Sequence, residues 1–286
     1  MSYFLYFILP ALGGYTLGSV YLLKNPHILH KRKRTAFYCT HISHRGGCGE
    51  RIESTMEAFT HAVEQGTQML ELDCHLTHDG HVVVSHDENL LRQTGHDVTV
   101  SSLKLFSRLP PAGHYSSGSD RKFALLEDLF RKFPNMPVSI EIKENNSQLI
   151  KKVSDLIKHY NREDITVWAS INSSIMKKCR KTNSSMPHSF TLSRGVQLLF
   201  LFYTGLLPFV TLEESLLQFY LPCIINSITM RKSLFKHLAA RGIQVHLFVC
   251  NEDKDIKKAF DLGATGVMSD YPSLLTRFLR RNGSQD

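Results

Sequence analysis

The pattern of hydrophobic and polar positions separates an uncharged N-terminal stretch from a longer region in which strand and helix patterns alternate. Residues 3–23 carry no charged side chain, and about 20 apolar residues are enough to cross a bilayer as a helix. Pro10, Gly13 and Gly14 weaken such a helix, so a monotopic anchor is the alternative. No basic segment precedes the apolar run, which disfavours a cleaved signal peptide.

Basic residues follow this stretch at Lys24 and in the run Lys31-Arg32-Lys33-Arg34. The positive-inside rule therefore predicts that the chain after the helix lies in the cytosol, with the short N-terminus across the membrane. We expect a membrane anchor with its basic flank over residues 1–34 and a globular domain over residues 35–286.

Strand and helix patterns alternate through the globular domain, which is typical of a parallel α/β architecture. Eight strands are predicted: one beginning at residue 69 and others at residues 37–44, 138–143, 165–169, 188–192, 221–226, 243–249 and 265–268. Helices are predicted from a Ser54 capping box to Gly66 and at residues 125–133, 149–159, 234–240 and 255–260. Eight strands favour a (β/α)8 TIM barrel. A doubly wound open sheet is the alternative, but the chain has no glycine-rich nucleotide fingerprint.

Four segments break the regular alternation. Residues 82–85 form a strand too close behind the second one for an intervening helix, so a small insertion is expected there. Residues 110–122 are rich in Pro, Gly and Ser and predict a loop. Residues 195–210 are more apolar than an outer barrel helix should be. They predict a helix at the membrane interface or along an acyl-chain groove, with a buried core helix as the alternative. The connection at residues 226–230 is short for a barrel.

Composition and charge narrow the choice of partners. The chain has 286 residues, 42% of them hydrophobic, and a formal net charge of +8, which favours an anionic partner. No nucleic-acid motif is present, so phosphate or a membrane surface fits better and nucleic acid is not expected. No protein partner is predicted. Six cysteines without CxxC or zinc-type spacing predict reduced, mostly buried thiols. They are Cys39, Cys48, Cys74, Cys179, Cys223 and Cys250.

Acidic residues occur where the predicted strands end, the place where barrel enzymes have their active sites. Glu71 and Asp73 lie two residues apart on the second strand and therefore project to the same face. Glu141 lies at the end of the third strand. Two ordinary acids at an exposed strand end are the simpler interpretation. Together, the three carboxylates would supply hard oxygen ligands, which favours Mg²⁺ or Ca²⁺ over zinc.

Other strand ends carry groups suited to a phosphoester. His44 ends the first strand and His86 ends the inserted one, and such a pair can act as general base and general acid near neutral pH. Arg45 and Lys143 offer charge-assisted hydrogen bonds to phosphoryl oxygens. The Gly46-Gly47 pair would let the backbone approach a ligand closely. The set describes metal-assisted cleavage of a phosphoester.

The order and spacing of these motifs resemble the glycerophosphodiester phosphodiesterase family over residues 40–280, and the hydrophobic N-terminus resembles the membrane-bound mammalian branch. The matching motifs are His44-Arg45-Gly46, Glu53-Ser54-Thr55, Glu71-Leu72-Asp73, His86-Asp87, Glu141-Ile142-Lys143 and the Asp270-bearing strand end. The resemblance implies a TIM barrel with an insertion after the second strand. It also implies a divalent metal on Glu71, Asp73 and Glu141, with His44 and His86 as the acid/base pair.

The resemblance also implies a substrate and a location. In the family mechanism a hydroxyl beside the phosphodiester attacks phosphorus, and water then opens the cyclic phosphate. The membrane-bound branch is associated with lysophospholipase D activity, so lysophosphatidylcholine, lysophosphatidylethanolamine or N-acyl lysophosphatidylethanolamine is the expected substrate. The products would be lysophosphatidic acid and choline, ethanolamine or an N-acylethanolamine. The expected location is the endoplasmic reticulum or perinuclear membrane, with the catalytic domain in the cytosol.

The chain departs from the family pattern in three ways. The family's Glu-Asn-Thr reads Glu53-Ser54-Thr55, which makes the role of Glu53 less secure, and Phe248 replaces a usual Trp. The chain is also shortened around residues 110–118 and near Ile228. Two other functions therefore remain open: the same chemistry on water-soluble glycerophosphodiesters, or a membrane-tethered lipid-binding protein with an impaired site.

Overall fold

The computed structural model describes residues 2–104, 118–120, 122–221 and 226–283. Most of the predicted loop at residues 110–122 and part of the predicted strand at 221–226 lie outside the described residues. The strands are β1 (His41–Ser43), β2 (Met69–Leu76), β3 (Val82–Val84), β4 (Ala124–Leu125), β5 (Val138–Glu141), β6 (Thr166–Ala169), β7 (Leu216–Tyr220), β8 (Gln244–Phe248) and β9 (Gly266–Ser269). The α-helices are α1 (Ser2–Lys24), α2 (Met56–Glu64), α3 (Leu91–Thr94), α4 (Leu126–Lys132), α5 (Ser147–His159), α6 (Ser173–Thr182), α7 (Leu192–Tyr203), α8 (Asn226–Thr229), α9 (Lys232–Ala240), α10 (Asp253–Asp261) and α11 (Pro272–Gly283).

Parallel strands close into the predicted (β/α)8 barrel. β1 pairs with β2 and β9, β2 pairs with β5, and β5 pairs with β6. On the other side, β7 pairs with β8 and β8 with β9. The interval between β6 and β7 is bridged by residues 188–189, through parallel bridges from His188 to Trp168 and from Ser189 to Leu216. These two residues serve as the fifth of eight strand positions.

The insertion after the second strand is also confirmed. β3 runs antiparallel to β2, with Cys74 opposite Val84, and β4 runs antiparallel to β3, with Val83 opposite Leu125. The pair β3–β4 therefore forms a small sheet that extends from the end of β2 above the barrel wall. It returns the chain to the regular alternation at α4.

The barrel strands are apolar because both of their faces are covered, as parallel sheets require. All eight residues of β2 are buried, including the two carboxylates. The outer helices cover the strands with one face only. In α5 the side chains of Leu149, Ile150, Val153 and Ile157 are buried, as the amphipathic pattern predicted.

Two sequence-based expectations near the start of the barrel need correction. The first strand is confined to His41–Ser43. Helix α2 is capped by Thr55, whose hydroxyl accepts a hydrogen bond from the Ala58 amide. Ser54, the predicted cap, instead has a left-handed backbone with φ of 61°, because the chain must turn sharply between the site loop and the helix.

The remaining corrections concern the fifth and sixth strand positions. The strand predicted at residues 188–192 is reduced to two bridging residues, because α7 already begins at Leu192. The next strand lies at Leu216–Tyr220, before the predicted residues 221–226. Its displacement lengthens the connection to α9, so the predicted short connection at 226–230 is wrong; the short helix α8 lies there instead.

The two apolar segments lie together at one side of the barrel. Residues Tyr6–Lys24 of α1 are long and apolar enough to cross a membrane. The predicted interface segment 195–210 comprises most of α7 and a short turn of 3₁₀ helix at Leu207–Phe209. One face of α7 packs on the barrel core through Leu198 and Leu201, so the core-helix interpretation holds for that face alone.

Candidate active site

The carboxyl ends of β1, β2, β5 and β9 bring the predicted site residues to one rim. β1 leads directly into His44, β2 carries Glu71 and Asp73, and β5 ends at Glu141. Parallel strands in a closed barrel place their carboxyl ends on the same side, so residues far apart in the chain become neighbours there.

Three carboxylates form the centre of this rim. The β2–β5 register sets Asp73 directly beside Glu141, and the strand period places Glu71 on the same face as Asp73. One oxygen of each of the three side chains lies within 4.8 Å of the other two. Burial and the charge of Glu71 raise the pKa of both Asp73 and Glu141, since like charges out of water repel one another.

The donor set suits a hard divalent cation. Asp73 is 1% exposed, and neither of its carboxylate oxygens accepts a well-directed hydrogen bond from the described residues. The ammonium group of Lys143 lies 2.8 Å from Asp73 Oδ1 and supplies some positive charge. A single lysine does not balance three carboxylates, and buried charges are costly unless they are paired or bound to metal. Glu71, Asp73 and Glu141 thus fit Mg²⁺ or Ca²⁺.

Asp270 orients His44. The Nδ1 atom of His44 lies 2.6 Å from Asp270 Oδ1, and because a carboxylate only accepts, Nδ1 carries the proton. Asp270 also accepts from Cys48 Sγ at 2.9 Å and from Asn251 Nδ2 at 2.7 Å. Burial alone would raise the pKa of Asp270, but these three donors hold it below its usual range.

The environment of His44 also affects its own charge. Burial alone would lower the pKa of His44, but the hydrogen bond to Asp270 and the negative charge of Glu71 outweigh it, so the pKa is raised. His44 Nε2 lies 3.9 Å from Glu71 Oε2. Nε2, the ring nitrogen that does not contact Asp270, therefore faces the carboxylate cluster.

Asp87 plays the same part for His86. The Nδ1 atom of His86 lies 2.5 Å from Asp87 Oδ1. The pKa of His86 is lowered, first by burial and then by the positive charge of Arg45, which together exceed the opposing effect of Asp87. His86 is therefore neutral at pH 7, with its proton on Nδ1 and its lone pair on Nε2.

A chain of ion pairs connects the His86 side of the site to the His44 loop. Arg92 Nε lies 2.6 Å from Asp87 Oδ2, and Arg92 Nη1 lies 2.6 Å from Glu53 Oε1. The other oxygen of Glu53 accepts from Arg45 Nη1 at 2.9 Å. Glu53, whose role the sequence left open, therefore holds two arginines. Burial alone would raise its pKa, but bonds from Arg92 and Arg45 lower it.

The loop after β1 has a backbone that glycine makes possible. Arg45, Gly46 and Gly47 all have positive φ angles, of 49°, 78° and 86°. A Cβ atom on Gly46 would lie 2.9 Å from the Phe59 ring, and one on Gly47 would lie 2.7 Å from Pro272. Both glycines therefore let the backbone pass close to the protein's own side chains, and the close approach to a ligand stays a prediction. The conformation of the loop turns the amide of Arg45 toward Glu71 Oε2, at 3.1 Å.

A buried histidine supports the loop that carries His86. The ring of His75 contacts Glu144 and, at 3.1 Å, Glu88, both through Nδ1. Its Nε2 lies 3.4 Å from the carbonyl oxygen of His86. Since β2 carries both Asp73 and His75, the same strand supports the carboxylate cluster and the neighbouring loop.

All seven residues singled out from the sequence lie on this rim. Sequence reasoning did not assign a role to four others: Asp87, Arg92, Asn251 and Asp270. Three of them gave some indication, since Asp87 directly follows His86, Asn251 follows the seventh predicted strand and Asp270 follows the last one. Arg92 carried no comparable indication.

Comparisons with known proteins agree with this geometry. The model of the glycerophosphoryl diester phosphodiesterase family matches residues 44–274. Fold and rim together define a TIM-barrel phosphodiesterase. The chain belongs to the glycerophosphoryl diester phosphodiesterase family.

Relatives and solved structures extend the likeness. Human lysophospholipase D GDPD1 is 49% identical over 96% of each chain, and human lysophospholipase D GDPD3 is 44% identical over 99% of this chain and 98% of its own. A putative glycerophosphoryl diester phosphodiesterase from Silicibacter pomeroyi has a TM-score of 0.70 at 18% identity, covering 87% of this chain and 96% of its own. An Oleispira antarctica phosphodiesterase, solved with the product sn-glycerol-3-phosphate, has a TM-score of 0.67 at 19% identity over 86% and 98%. These two structures show the shared fold.

Proposed function

We propose that this protein is a membrane-anchored, metal-dependent lysophospholipase D. It would hydrolyse lysophosphatidylcholine, lysophosphatidylethanolamine or its N-acyl form to lysophosphatidic acid and the free alcohol. The observation that carries the proposal is two histidines, each hydrogen-bonded to its own aspartate, beside a cluster of three carboxylates of which two are buried. The names of the human relatives support the choice of substrate.

Each histidine has a role in the proposed reaction. The lowered pKa of His86 leaves it neutral, so we assign it the proton of the attacking substrate hydroxyl. The raised pKa of His44 suits it to donate a proton to the leaving alcohol. If a cation neutralised Glu71, the hydrogen bond to Asp270 would still favour a charged His44.

Glu71, Asp73 and Glu141 would hold Mg²⁺ or Ca²⁺, which when bound neutralises charge on the phosphoryl group. Arg45 is assigned to a phosphoryl oxygen because its buried Nε has no acceptor among the described residues. Lys143 is assigned to the same group. Its ammonium would move from Asp73 toward the substrate.

The substrate panel is the direct test. Purified full-length protein is assayed on each lysolipid with Mg²⁺, Ca²⁺ or chelator, and we expect metal-dependent release of lysophosphatidic acid. His44→Ala and His86→Ala should each abolish it without loss of fold, whereas His81→Ala, at an exposed histidine, should have no effect. Undiminished turnover in both site variants would refute the assignment.

The same experiment separates the rival functions. Faster turnover of glycerophosphocholine than of lysophosphatidylcholine would indicate a phosphodiesterase for water-soluble substrates. Lipid binding without turnover under every metal would indicate a tethered binding protein.

For location, we propose that α1 spans the endoplasmic reticulum or perinuclear membrane and leaves residues 35–286 in the cytosol. The support is the uncharged stretch within α1 followed by its basic flank. Protease added to sealed microsomes should digest the barrel. A barrel that resists until detergent is added would reverse this topology.

A further inference from the structure

The outer face of α7 has an unusual composition for a barrel helix. Four side chains that recur at helical spacing point outward, and none of them is charged. They are Leu192, Val196, Phe200 and Tyr203, with exposed fractions of 67%, 61%, 61% and 51%. Outer barrel helices normally expose a polar face, and contiguous exposed apolar patches mark interaction sites.

Helix α1 is attached to the end of the same face. Tyr15 donates a hydrogen bond to the carbonyl oxygen of Thr204 at 2.6 Å, and Ser19 donates to that of Gly205 at 2.6 Å. The ring of Tyr15 stacks on Phe209, with centroids 6.4 Å apart. Nearer the end of α1, His237 Nδ1 donates to the Leu23 carbonyl oxygen at 2.8 Å. The anchor helix is therefore bound to the barrel at four points.

This attachment limits how the barrel can be oriented. Tyr15 is the middle residue of the apolar stretch Tyr6–Lys24, so a bilayer that this stretch crosses also reaches the turn after α7 that is hydrogen-bonded to it. Leu206 and Phe209 within the turn are 39% and 48% exposed, and they continue the apolar face of α7 toward α1. We therefore expect the bilayer to cover this face, because α1 already joins the chain to the membrane.

We infer that the outer face of α7, with Leu206 and Phe209, lies in the lipid interface as a second membrane contact besides α1. This membrane face is the stripe from Leu192 to Tyr203 together with the turn at Leu206–Phe209. Its role in delivering substrate rests on the proposed lysophospholipase D function; its contact with lipid does not.

The membrane face reaches the catalytic rim at its Leu192 end, because α7 follows the fifth strand position and therefore begins on the rim side of the barrel. The Leu192 amide donates to the carbonyl oxygen of Ile171 at 3.0 Å. Ile171 follows the end of β6 and is 66% exposed. A monoacyl lipid could therefore keep its chain along the stripe while its phosphate extends toward the rim.

Lipid contact can be measured without any turnover. Full-length protein is reconstituted into phosphatidylcholine vesicles with and without brominated acyl chains, and a tryptophan probe is placed at one position at a time. The native Trp168 is fully buried and gives a constant background. We expect the emission of Phe200→Trp to be shifted to the blue and strongly quenched by brominated lipid, as in Leu17→Trp of α1.

The matched control lies across the barrel. α2 follows the first strand position and α7 the fifth of eight, so the exposed Glu64 of α2 lies on the opposite side. Glu64→Trp should emit like a solvent-exposed indole and escape quenching. If Phe200→Trp is unquenched while Leu17→Trp is quenched, the inference is overturned. A blue-shifted but unquenched Phe200→Trp overturns it too, since protein, such as a second copy, would then cover the face.

Substrate delivery is tested with Val196→Gln/Phe200→Gln. We expect a several-fold higher KM for lysophosphatidylcholine embedded in vesicles and an unchanged kcat on detergent-dispersed substrate. Unchanged KM despite quenching of Phe200→Trp would refute delivery and leave the lipid contact intact. If wild-type protein hydrolyses no lysolipid at all, the proposed function fails, and the quenching result still decides the membrane face.

Discussion

The catalytic rim and the membrane face lie on the same barrel but depend on different kinds of interaction. At the rim, charged groups lie within a few ångströms of counter-charges, as in the sequence of contacts from His86 through Asp87, Arg92 and Glu53 to Arg45. The membrane face has no charged side chain in its stripe, and its contact with α1 uses hydroxyl groups and backbone carbonyls. One region depends on exact charge geometry and the other on apolar area.

This difference predicts how each region tolerates change. A displaced charge at the rim disturbs every partner in the network, because low-dielectric surroundings strengthen each contact. A substitution on the membrane face changes the apolar area that contacts lipid, and the free energy of that contact changes in proportion. The neighbouring side chains keep their positions. Chemistry and membrane contact should therefore be separable by mutation.

The largest effect is expected from Asp73→Asn. Loss of a charged ligand from the carboxylate cluster should reduce kcat/KM by more than about a hundredfold, the upper cost of losing a group that only orients a metal ligand. Stability should respond in the opposite direction. The folded-state pKa of Asp73 is raised, so its ionisation destabilises the fold as pH rises. Under chelator at pH 8, Asp73→Asn should melt no lower than wild type, by differential scanning fluorimetry.

The control is the same pair of measurements at a series of lower pH values. The advantage should shrink as the pH falls toward the ordinary aspartate pKa of 3.8, because Asp73 is then protonated in the unfolded chain as well as in the folded one. A variant that melts lower at pH 8 would mean that the Lys143 pair outweighs the carboxylate repulsion, against the metal-site interpretation.

Arg92→Met is expected to have the next largest effect. Asp87 and Glu53 would each lose a partner, so both His86 and Arg45 would be less well held, and kcat/KM should fall about ten- to a hundredfold. Arg131→Met is the matched control, since Arg131 pairs at the exposed surface, with Glu127 and Asp128 of α4 and with the Tyr160 hydroxyl. Equal rates for the two variants would show that the ion-pair chain does not position the site.

A smaller effect is expected on the pH profile of Asp87→Asn. His86 must be neutral to accept a proton, so activity is lost as pH falls through its pKa, which lies below the ordinary 6.5. Asp87 raises that pKa, and its neutralisation should lower it further. The acid limb of kcat/KM should then move to lower pH while the basic limb stays in place. Movement of the acid limb toward higher pH would exclude His86 as the base.

The smallest effect is expected from Gly205→Ala, beside the membrane face at the point where α1 contacts the barrel. Gly205 has a φ of 76°, and an added Cβ would lie 2.8 Å from Ser19 Oγ. The substitution should cost about 1 kcal/mol of unfolding free energy without changing kcat on detergent-dispersed substrate. Gly195→Ala within α7 is the control, because its Cβ would meet nothing within 4 Å and alanine favours a helix. Urea unfolding in detergent compares them; equal midpoints would show that α1 is not tightly packed at this point.

The sequence predicted more of the fold than of the site's internal contacts. Alternating strand and helix patterns predicted the barrel and the inserted strand β3, because burial and periodicity are local properties. They did not predict β4, whose two residues directly precede α4. The fifth strand position was overestimated, since two bridging residues close the barrel there and apolar composition alone cannot measure strand length. The sixth was displaced because an apolar run continues from Leu216–Tyr220 into residues 221–225, so composition alone does not show which part of it forms the strand.

By itself, the sequence determined which chemical groups lie at the strand ends. The side-chain period of a strand and the residues that end it depend only on consecutive positions of the chain. It also determined that an apolar helix precedes a basic flank. Only the tertiary structure decided that Asp270 pairs with His44 across 226 positions and that Arg92 joins Asp87 to Glu53. It alone attached α1 to the turn after α7. These contacts depend on barrel closure and strand register, which bring distant residues within hydrogen-bonding distance.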